Sequence, residues 1–299
     1  MARGRDYTPD EQRDPAGRIP LPDRAHEQKT TARSNRAGGP GHDQQAPLGE
    51  LRTLDHDRDR SGQLPNSELQ TLAEIGTFRT VTLEDLARYR YGNHRTQAQA
   101  EVRDLTRRGL VRVRTTHPAK AVYVSLTREG HSLIRRHRPH EMNPNQVFYA
   151  RFVKPREVKH DAALYRLYQE VADRIAREGA KVKRVVLDFE LKKSINRQLA
   201  TLGSLSDSQQ TLRKHQIAEE HGLSVVNGKI PLPDLRIEYE TADLEQTKVD
   251  LELATKEYHL DSLAEKSQAG FAIFALQEDA APLRRAINDP GLTRDIFSL

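Results

Sequence analysis

The apolar positions between residues 64 and 138 first repeat every three or four residues and then alternate. This pattern predicts three helices, two short strands and a final helix, at residues 67–75, 82–91, 93–108, 110–114, 121–126 and 127–137. The third helix has Ala98, Val102 and Leu105 as its apolar stripe, and Gly109 is its stop signal. Thr82 and Thr127 are placed to cap the helices that follow them.

From residue 159 onward the pattern predicts a mixed α/β region. Helices are expected at 159–177, 206–221 and 260–269, and strands at 185–191, 235–240, 249–253 and 271–275. The last of these strands is apolar throughout, as a strand covered on both faces would be. His160 lies one turn before Leu164 on the apolar face of the first helix, and we interpret it as a packed core residue.

Composition adds a polar N-terminal segment and excludes several classes of protein. The chain has 299 residues, which suits about two domains, and only 36% of them are hydrophobic. Residues 1–62 are rich in proline and glycine without apolar periodicity, so we predict a disordered tail there. The absence of cysteine excludes disulfides and thiolate metal sites. With no apolar run for a membrane helix or a secretory signal, the sequence predicts a soluble, cytoplasmic protein with no membrane partner.

The charge is unevenly distributed along the chain. Residues 61–138 contain 14 Lys and Arg against 7 Asp and Glu, a net charge of +7. Residues 1–60 balance at 11 against 11, and residues 139–299 carry 23 against 25. A basic block of domain size is typical of a nucleic-acid binder, although a solvated basic surface gives the same count.

Two motifs in the basic block resemble winged-helix regulators. They are the run RDLTRRGLV from Arg103 to Val111 and the run YVSLTREG from Tyr123 to Gly130. The resemblance implies that the third helix reads duplex DNA in the major groove and that the turn between the strands is a wing. The DNA-binding candidates are the polar residues of that helix and wing: Arg95, Thr96, Gln97, Gln99, Arg103, Arg107, Arg112, Arg114, His117 and Lys120.

Acidic residues alternate with apolar ones in three of the predicted C-terminal strands, around Asp188, Asp234 and Asp250. Alternate strand residues share a face, so we expect a carboxylate cluster that binds Mg²⁺ or Mn²⁺, or else a ladder of cross-strand salt bridges. Pro233-Asp234 followed by an acidic strand resembles the PD-(D/E)XK nuclease fold. That resemblance implies Asp234 and Glu252 as catalytic metal ligands, with Asp250 as a further metal candidate.

The nuclease motif departs from its pattern at the lysine. Position 254, where the resemblance places that lysine, is Ala. Lys256 and Lys266 are the candidate catalytic substitutes, the second as a lysine displaced onto the following helix.

The two halves together resemble the replication-relaxation family, over about residues 64–280. The predicted fold class is therefore α+β: a tail at 1–62, a winged helix-turn-helix domain at 63–140, a connector at 141–158, a nuclease-like mixed-sheet domain at 159–280 and a C-terminal tail at 281–299. The resemblance implies a double-stranded DNA-binding protein of a bacterial plasmid or other mobile element. It would act in replication, mobilisation or DNA relaxation, with a Mg²⁺- or Mn²⁺-dependent nicking domain.

Two alternatives stay open at this point. One is a winged-helix transcriptional regulator whose nuclease-like domain is inert and forms a homodimer. The other is a protein-docking module without DNA contact.

Overall fold

A computed structural model describes residues 65–116, 120–152, 155–204, 206–256, 258–286 and 296–299. The tail predicted at 1–62 lies outside these residues. The described part is α+β with two sheets, one of them mixed. Within it, no helix has the length and apolar character needed to cross a lipid bilayer.

The N-terminal elements follow the predicted order. They are α1 (Asn66–Thr77), β1 (Val81–Thr82), α2 (Leu83–Asp85) with a π-helical continuation (Leu86–Arg90), α3 (Arg95–Arg107), β2 (Val111–Thr115), β3 (Val122–Leu126) and α4 (Arg128–Arg136). The three strands form an antiparallel sheet in the order β1-β3-β2. As predicted, Ala98, Val102 and Leu105 are the buried residues of α3. The strand β1 and the π-helical turn were not predicted.

Both predicted threonine caps are present. Thr82 Oγ1 accepts a hydrogen bond from the Asp85 backbone N–H at 2.9 Å, and Thr127 Oγ1 accepts one from the Gly130 N–H at 3.0 Å. Each cap satisfies a backbone donor that the first turn of a helix would otherwise leave unpaired. These two caps therefore set where α2 and α4 begin.

The C-terminal elements build the larger sheet. They are α5 (Pro155–Arg177), β4 (Lys181–Leu187), α6 (Asp188–Leu199), a 3-10 turn (Leu202–Ser204), α7 (Asp207–Glu220), β5 (Leu235–Glu240), β6 (Gln246–Ala254), α8 (Leu260–Gln268), β7 (Ala272–Ala275), α9 (Gln277–Ala286) and β8 (Ile296–Ser298). The strand order is β4-β5-β6-β7-β8. Strands β4, β5 and β6 pair antiparallel, whereas β6, β7 and β8 pair parallel. The parallel pairs are possible because α8 and α9 carry the chain back to the starting end of the sheet between them.

The strand predicted at 185–191 is wrong beyond Leu187. The chain turns there into α6, whose buried residues Leu191 and Ile195 are spaced as on a helix face. Asp188 and Glu190 lie in the first turn of α6, where the helix dipole favours acidic side chains. The prediction of one acidic face shared by three strands is therefore wrong as well.

The sheet also extends beyond the predicted C-terminal boundary at residue 280. That boundary falls inside α9, and β8 pairs in parallel with β7 through Phe274 and Phe297. Ile296 of β8 is fully buried. The segment predicted as a tail at 281–299 thus contributes an edge strand to the sheet.

Helix α5 packs against both sheets. Tyr165 at its centre has no exposed surface, and its hydroxyl donates to Glu74 of α1 at 2.8 Å. The Tyr165 ring lies edge-on to Phe78, with ring centroids 5.1 Å apart. The next residue, Arg166, pairs with the buried Asp85 at 3.1 Å. The residues from Asn66 onward form one compact unit, and the division at residues 140 and 159 stays a prediction.

The predicted connector covers the open edge of β4. Buried Gln146 donates through Nε2 to the Val185 carbonyl at 2.9 Å and accepts from the Val185 N–H at 2.9 Å. An uncovered edge strand would leave these backbone groups free to pair with another chain. The side chain of Gln146 thus replaces a neighbouring strand at this position.

Gly130 gives a stability test of how closely α4 approaches the backbone of Leu110, the residue just before β2. A Cβ built at Gly130 would lie 2.0 Å from the Leu110 carbonyl oxygen, whereas one at Gly109 meets nothing within 4 Å. In an ordinary helix Gly→Ala stabilises, but here we expect Gly130→Ala to destabilise by about 2 kcal/mol or more through overpacking. Gly109→Ala, strained only by its φ of +70°, should cost about 1 kcal/mol. Chemical denaturation measures both, and a stabilised Gly130→Ala variant would contradict the close approach.

Candidate functional site

Charged and polar side chains from seven segments converge beside the C-terminal ends of β4 and β6. We call this group the acidic cluster and define it by these residues: Arg79, His160, Asp161, Asp188, Asp234, Glu252, Tyr258 and Lys266. Helix α5 supplies two of them, and α6 and α8 supply one each. Of the two central carboxylates, Asp234 directly precedes β5 and Glu252 lies in β6. The cluster is thus assembled from both ends of the described chain.

Glu252 is the most enclosed carboxylate of the cluster, with no exposed surface. Its Oε1 accepts hydrogen bonds from Lys266 Nζ at 2.5 Å and from the Tyr258 hydroxyl. Its Oε2 accepts from the Asp234 backbone N–H at 3.3 Å. Burial, reinforced by the negative charge of Asp234, raises the pKa of Glu252 to about 7, against the opposing effect of Lys266.

The pKa of Asp234 is shifted in the opposite direction from that of Glu252. Burial alone would raise its pKa, but the hydrogen bond and charge of His160, together with Lys266, hold the pKa below its ordinary value. Its Oδ2 accepts from His160 Nε2 at 3.2 Å and from the Leu253 backbone N–H at 3.0 Å. The pKa of His160 is correspondingly raised, because Asp234 and the neighbouring carboxylates outweigh the effect of its burial. The two central carboxylates therefore differ in their tendency to bind a proton.

Arg79 brings a cation from the N-terminal sheet region into the cluster. Its backbone φ of +62° is in the left-handed region, which is unfavourable for a residue with a side chain. Its guanidinium lies 3.5 Å from Asp161 Oδ2 and 3.9 Å from the centre of the Phe189 ring. Burial raises the pKa of Asp161 to about 6, with Arg79 and His160 opposing the shift.

The structure brings together three of the predicted catalytic residues, Asp234, Glu252 and Lys266. Lys256 is exposed and has no contact with either carboxylate in the described part of the chain. The lysine in contact with Glu252 is therefore the one displaced onto the following helix. The side chain of this lysine, Lys266, is only 15% exposed.

Asp250, predicted as a further metal candidate, forms an ion pair with Arg236. Its two oxygens accept from Arg236 Nε at 2.6 Å and Nη2 at 2.9 Å. Arg236 also donates to the His221 carbonyl at the end of α7. Asp250 thus neutralises an arginine that caps a helix C-terminus, where cations are favoured.

The interpretation of His160 as a packing residue is wrong. Its ring nitrogen contacts Asp234, and the side chain keeps about a third of its surface exposed. A polar pair, His160 and Asp161, at the start of an otherwise apolar helix face was a signal for this role. Arg79 and Tyr258 carried no comparable signal, because their contacts come from distant parts of the chain.

The predicted DNA-binding residues form a solvent-facing surface on α3 and the β2–β3 hairpin. The α3 members Arg95, Thr96, Gln97, Arg103 and Arg107 are exposed, and Gln99 is half-buried. The hairpin members Arg112, Arg114 and Lys120 are exposed too, and His117 lies outside the described residues. Two of these cations have carboxylate neighbours: Arg95 lies 3.7 Å from Glu84 and Arg107 2.6 Å from Asp104.

No protein-family model matches this chain, and no curated protein matches it. Within the described residues, no three His, Asp or Glu side chains are arranged to hold a metal ion.

Glu252 gives a pH-dependent test of the acidic cluster. Its folded-state pKa of about 7 lies above its ordinary value of 4.5, so the folded state binds the proton more tightly than the unfolded state. The free energy of unfolding should then fall by about 2 kcal/mol as the pH rises from about 5 to 8. Glu252→Gln should lack this component.

Denaturant titrations across this pH range measure the effect, with Glu238→Gln on the more open part of β5 as the control variant. The control should follow the wild-type pH dependence. Parallel curves for wild type and Glu252→Gln would contradict the raised pKa.

Proposed function

We propose that this chain is a double-stranded DNA-binding protein of the winged-helix type. Its C-terminal region would act on the bound duplex as a PD-(D/E)XK-like, metal-dependent nicking site. The setting would be replication, mobilisation or relaxation of a bacterial plasmid or other mobile element. The observation that carries the proposal is the contact of Asp234 and Lys266 with the same buried carboxylate, Glu252.

The surface of α3 supports the DNA-binding half of the proposal. Thr96, Arg103 and Arg107 recur at helical spacing on the exposed side of the helix, opposite its apolar stripe. The helix presents side chains that can bond base edges and phosphates. The Arg95–Glu84 pair is largely exposed on both sides, so exchanging Glu84 for a phosphate would cost little.

The donor chemistry of the cluster fits a hard divalent cation. Carboxylate oxygens are the ligands that Mg²⁺ and Mn²⁺ prefer, and Asp234 with Glu252 would hold such an ion. Burial is the main cause of the raised pKa of Glu252, and repulsion by the negative charge of Asp234 adds to it. A cation held by both carboxylates would relieve that repulsion. A bound ion of this kind lowers the pKa of a coordinated water and stabilises developing negative charge.

The chain's own residues would divide the remaining work. Lys266 lies against Glu252 and would place a positive charge beside the scissile phosphate. His160 holds one oxygen of Asp234 and so orients that carboxylate. Tyr258 donates through its hydroxyl to the same Glu252 oxygen as Lys266 and so restricts that carboxylate further.

DNA binding through α3 predicts a salt-dependent defect in Arg103→Ala. Removing one phosphate contact should weaken binding to all sequences and lower the slope of log affinity against log salt by about one unit. Arg177→Ala, which removes an exposed arginine at the end of α5, is the control and should bind like wild type. Fluorescence anisotropy over a range of salt concentrations measures the slope. Equal slopes for both variants and the wild type would favour the protein-docking alternative.

The nicking site predicts different effects for the two lysines. In Mn²⁺, the wild type should nick supercoiled plasmid, whereas Asp234→Asn and Lys266→Met should not, with duplex binding retained. Lys256→Met removes an exposed lysine and should leave nicking intact. Gel electrophoresis of the plasmid forms reads out the result. Loss of nicking in Lys256→Met alone would place the catalytic lysine there instead.

One observation favours a second candidate function, a winged-helix regulator with an inert nuclease-like domain that forms a homodimer. Both central carboxylates already have protein partners. His160 contacts Asp234, and both Lys266 and Tyr258 donate to Glu252. A closed network of this kind also serves stability alone. Absence of nicking by a wild-type protein that binds duplex would decide for this candidate.

A further inference from the structure

A second cationic surface lies on α6, outside the region predicted to bind DNA. Lys192, Lys193 and Arg197 are exposed there together with Asn196, at spacings that place all four on one helix face. The opposite face carries Leu191 and Ile195, which are buried in the apolar core formed with α7. We call the exposed residues Lys192, Lys193, Asn196 and Arg197 the α6 face.

The cations of the α6 face differ from those of α3 in their neighbours. On α3, Arg107 pairs with Asp104 and Arg95 lies near Glu84. Within the described ranges, none of the three cations on the α6 face lies within ion-pair distance of a carboxylate. Their positive charge is therefore not neutralised locally by the protein.

The position of α6 links this charge to the acidic cluster. Asp188, the first residue of α6, belongs to the cluster, and its backbone N–H donates to the Asp234 carbonyl at 3.2 Å. With a rise of about 1.5 Å per residue, the cations lie about 6 to 14 Å along the helix from Asp188. That is within one to two Debye lengths at physiological salt, so the two charge groups act on the same approaching ligand.

A nucleic-acid backbone is the ligand that needs such a surface. The acidic cluster contains four carboxylates, Asp161, Asp188, Asp234 and Glu252, but only two arginine or lysine residues, Arg79 and Lys266. Its excess of acidic groups repels phosphate. A phosphodiester can approach them only if nearby cations offset that repulsion. The three cations span about 7.5 Å of helix axis, a length comparable with about three neighbouring phosphates along one strand.

We propose that the α6 face binds the phosphate backbone of duplex DNA next to the acidic cluster. This inference rests on the proposed function and deepens it by naming where the duplex is held beside that site. The contact is to phosphate, so it adds affinity and placement without adding sequence preference.

The test compares two double variants of the full-length chain that each remove one lysine and one arginine. Lys192→Gln with Arg197→Gln alters the α6 face, and Lys181→Gln with Arg177→Gln alters exposed positions at the opposite end of β4. Affinity for a duplex of mixed sequence is measured by fluorescence anisotropy between about 50 and 200 mM salt. Thermal unfolding of both variants should match wild type, because all four side chains are exposed.

The α6 variant should lower the slope of log affinity against log salt by about two units, so that its affinity loss over this salt range is about tenfold smaller than that of wild type. The control variant should keep the wild-type slope. Wild-type slopes in both double variants, with a reduced slope in Arg103→Ala, would overturn the α6 contact and leave the proposed function standing. A wild-type protein that binds no duplex at low salt would overturn both.

Discussion

The enclosed carboxylate of Glu252 constrains the relative positions of β5, β6 and α8 in the C-terminal half of the molecule. A buried charge is tolerated only when it is paired and hydrogen-bonded, and removing one partner of such a pair costs about 3–5 kcal/mol. Lys266 therefore fixes α8 against β6, and the Asp234 N–H fixes the start of β5 against the same strand. The sheet register and the position of the following helix are thus coupled through one side chain.

Helix α5 extends that constraint to the N-terminal sheet. Its His160 contacts Asp234 in the acidic cluster, while Tyr165 is bonded to Glu74 of α1. Because these residues are little more than one turn apart on a single helix, a displacement of α1 would be transmitted to the cluster. Arg79 forms a second connection between the same two regions through Asp161. The position of α1 is therefore tied to the acidic cluster by packing and not only by chain connectivity.

Local patterns in the sequence were sufficient to predict most of the elements. The stripe Ala98, Val102 and Leu105 identified α3, and the threonine caps marked the starts of two helices. The same reasoning failed at residues 185–191. The alternation of apolar and polar residues in β4 continues into the first turn of α6, and the helical spacing of apolar residues begins only at Leu191. Both periods fit so short a segment, and only the packing of α6 against α7 distinguishes them.

The candidate site was predictable to the extent that its residues lie in recognisable motifs. Asp234 follows a proline before a strand, and Glu252 lies in an alternating strand. Period-two geometry placed Asp250 on the same face as Glu252, but it could not show that Arg236 on the neighbouring strand pairs with Asp250. Arg79 and Tyr258 enter through contacts that no local pattern contains.

The wide separation of the cluster residues along the chain has a consequence for biosynthesis. Ribosomes deliver the chain from its N-terminus, and regions generally fold as they emerge. A nascent chain that has reached residue 200 contains Arg79, His160 and Asp161, but neither Glu252 nor Lys266. The helices around α3 can pack before the acidic cluster has its central carboxylate. Translation therefore orders the assembly: the surface of α3 comes first, and the cluster closes only when α8 has been made.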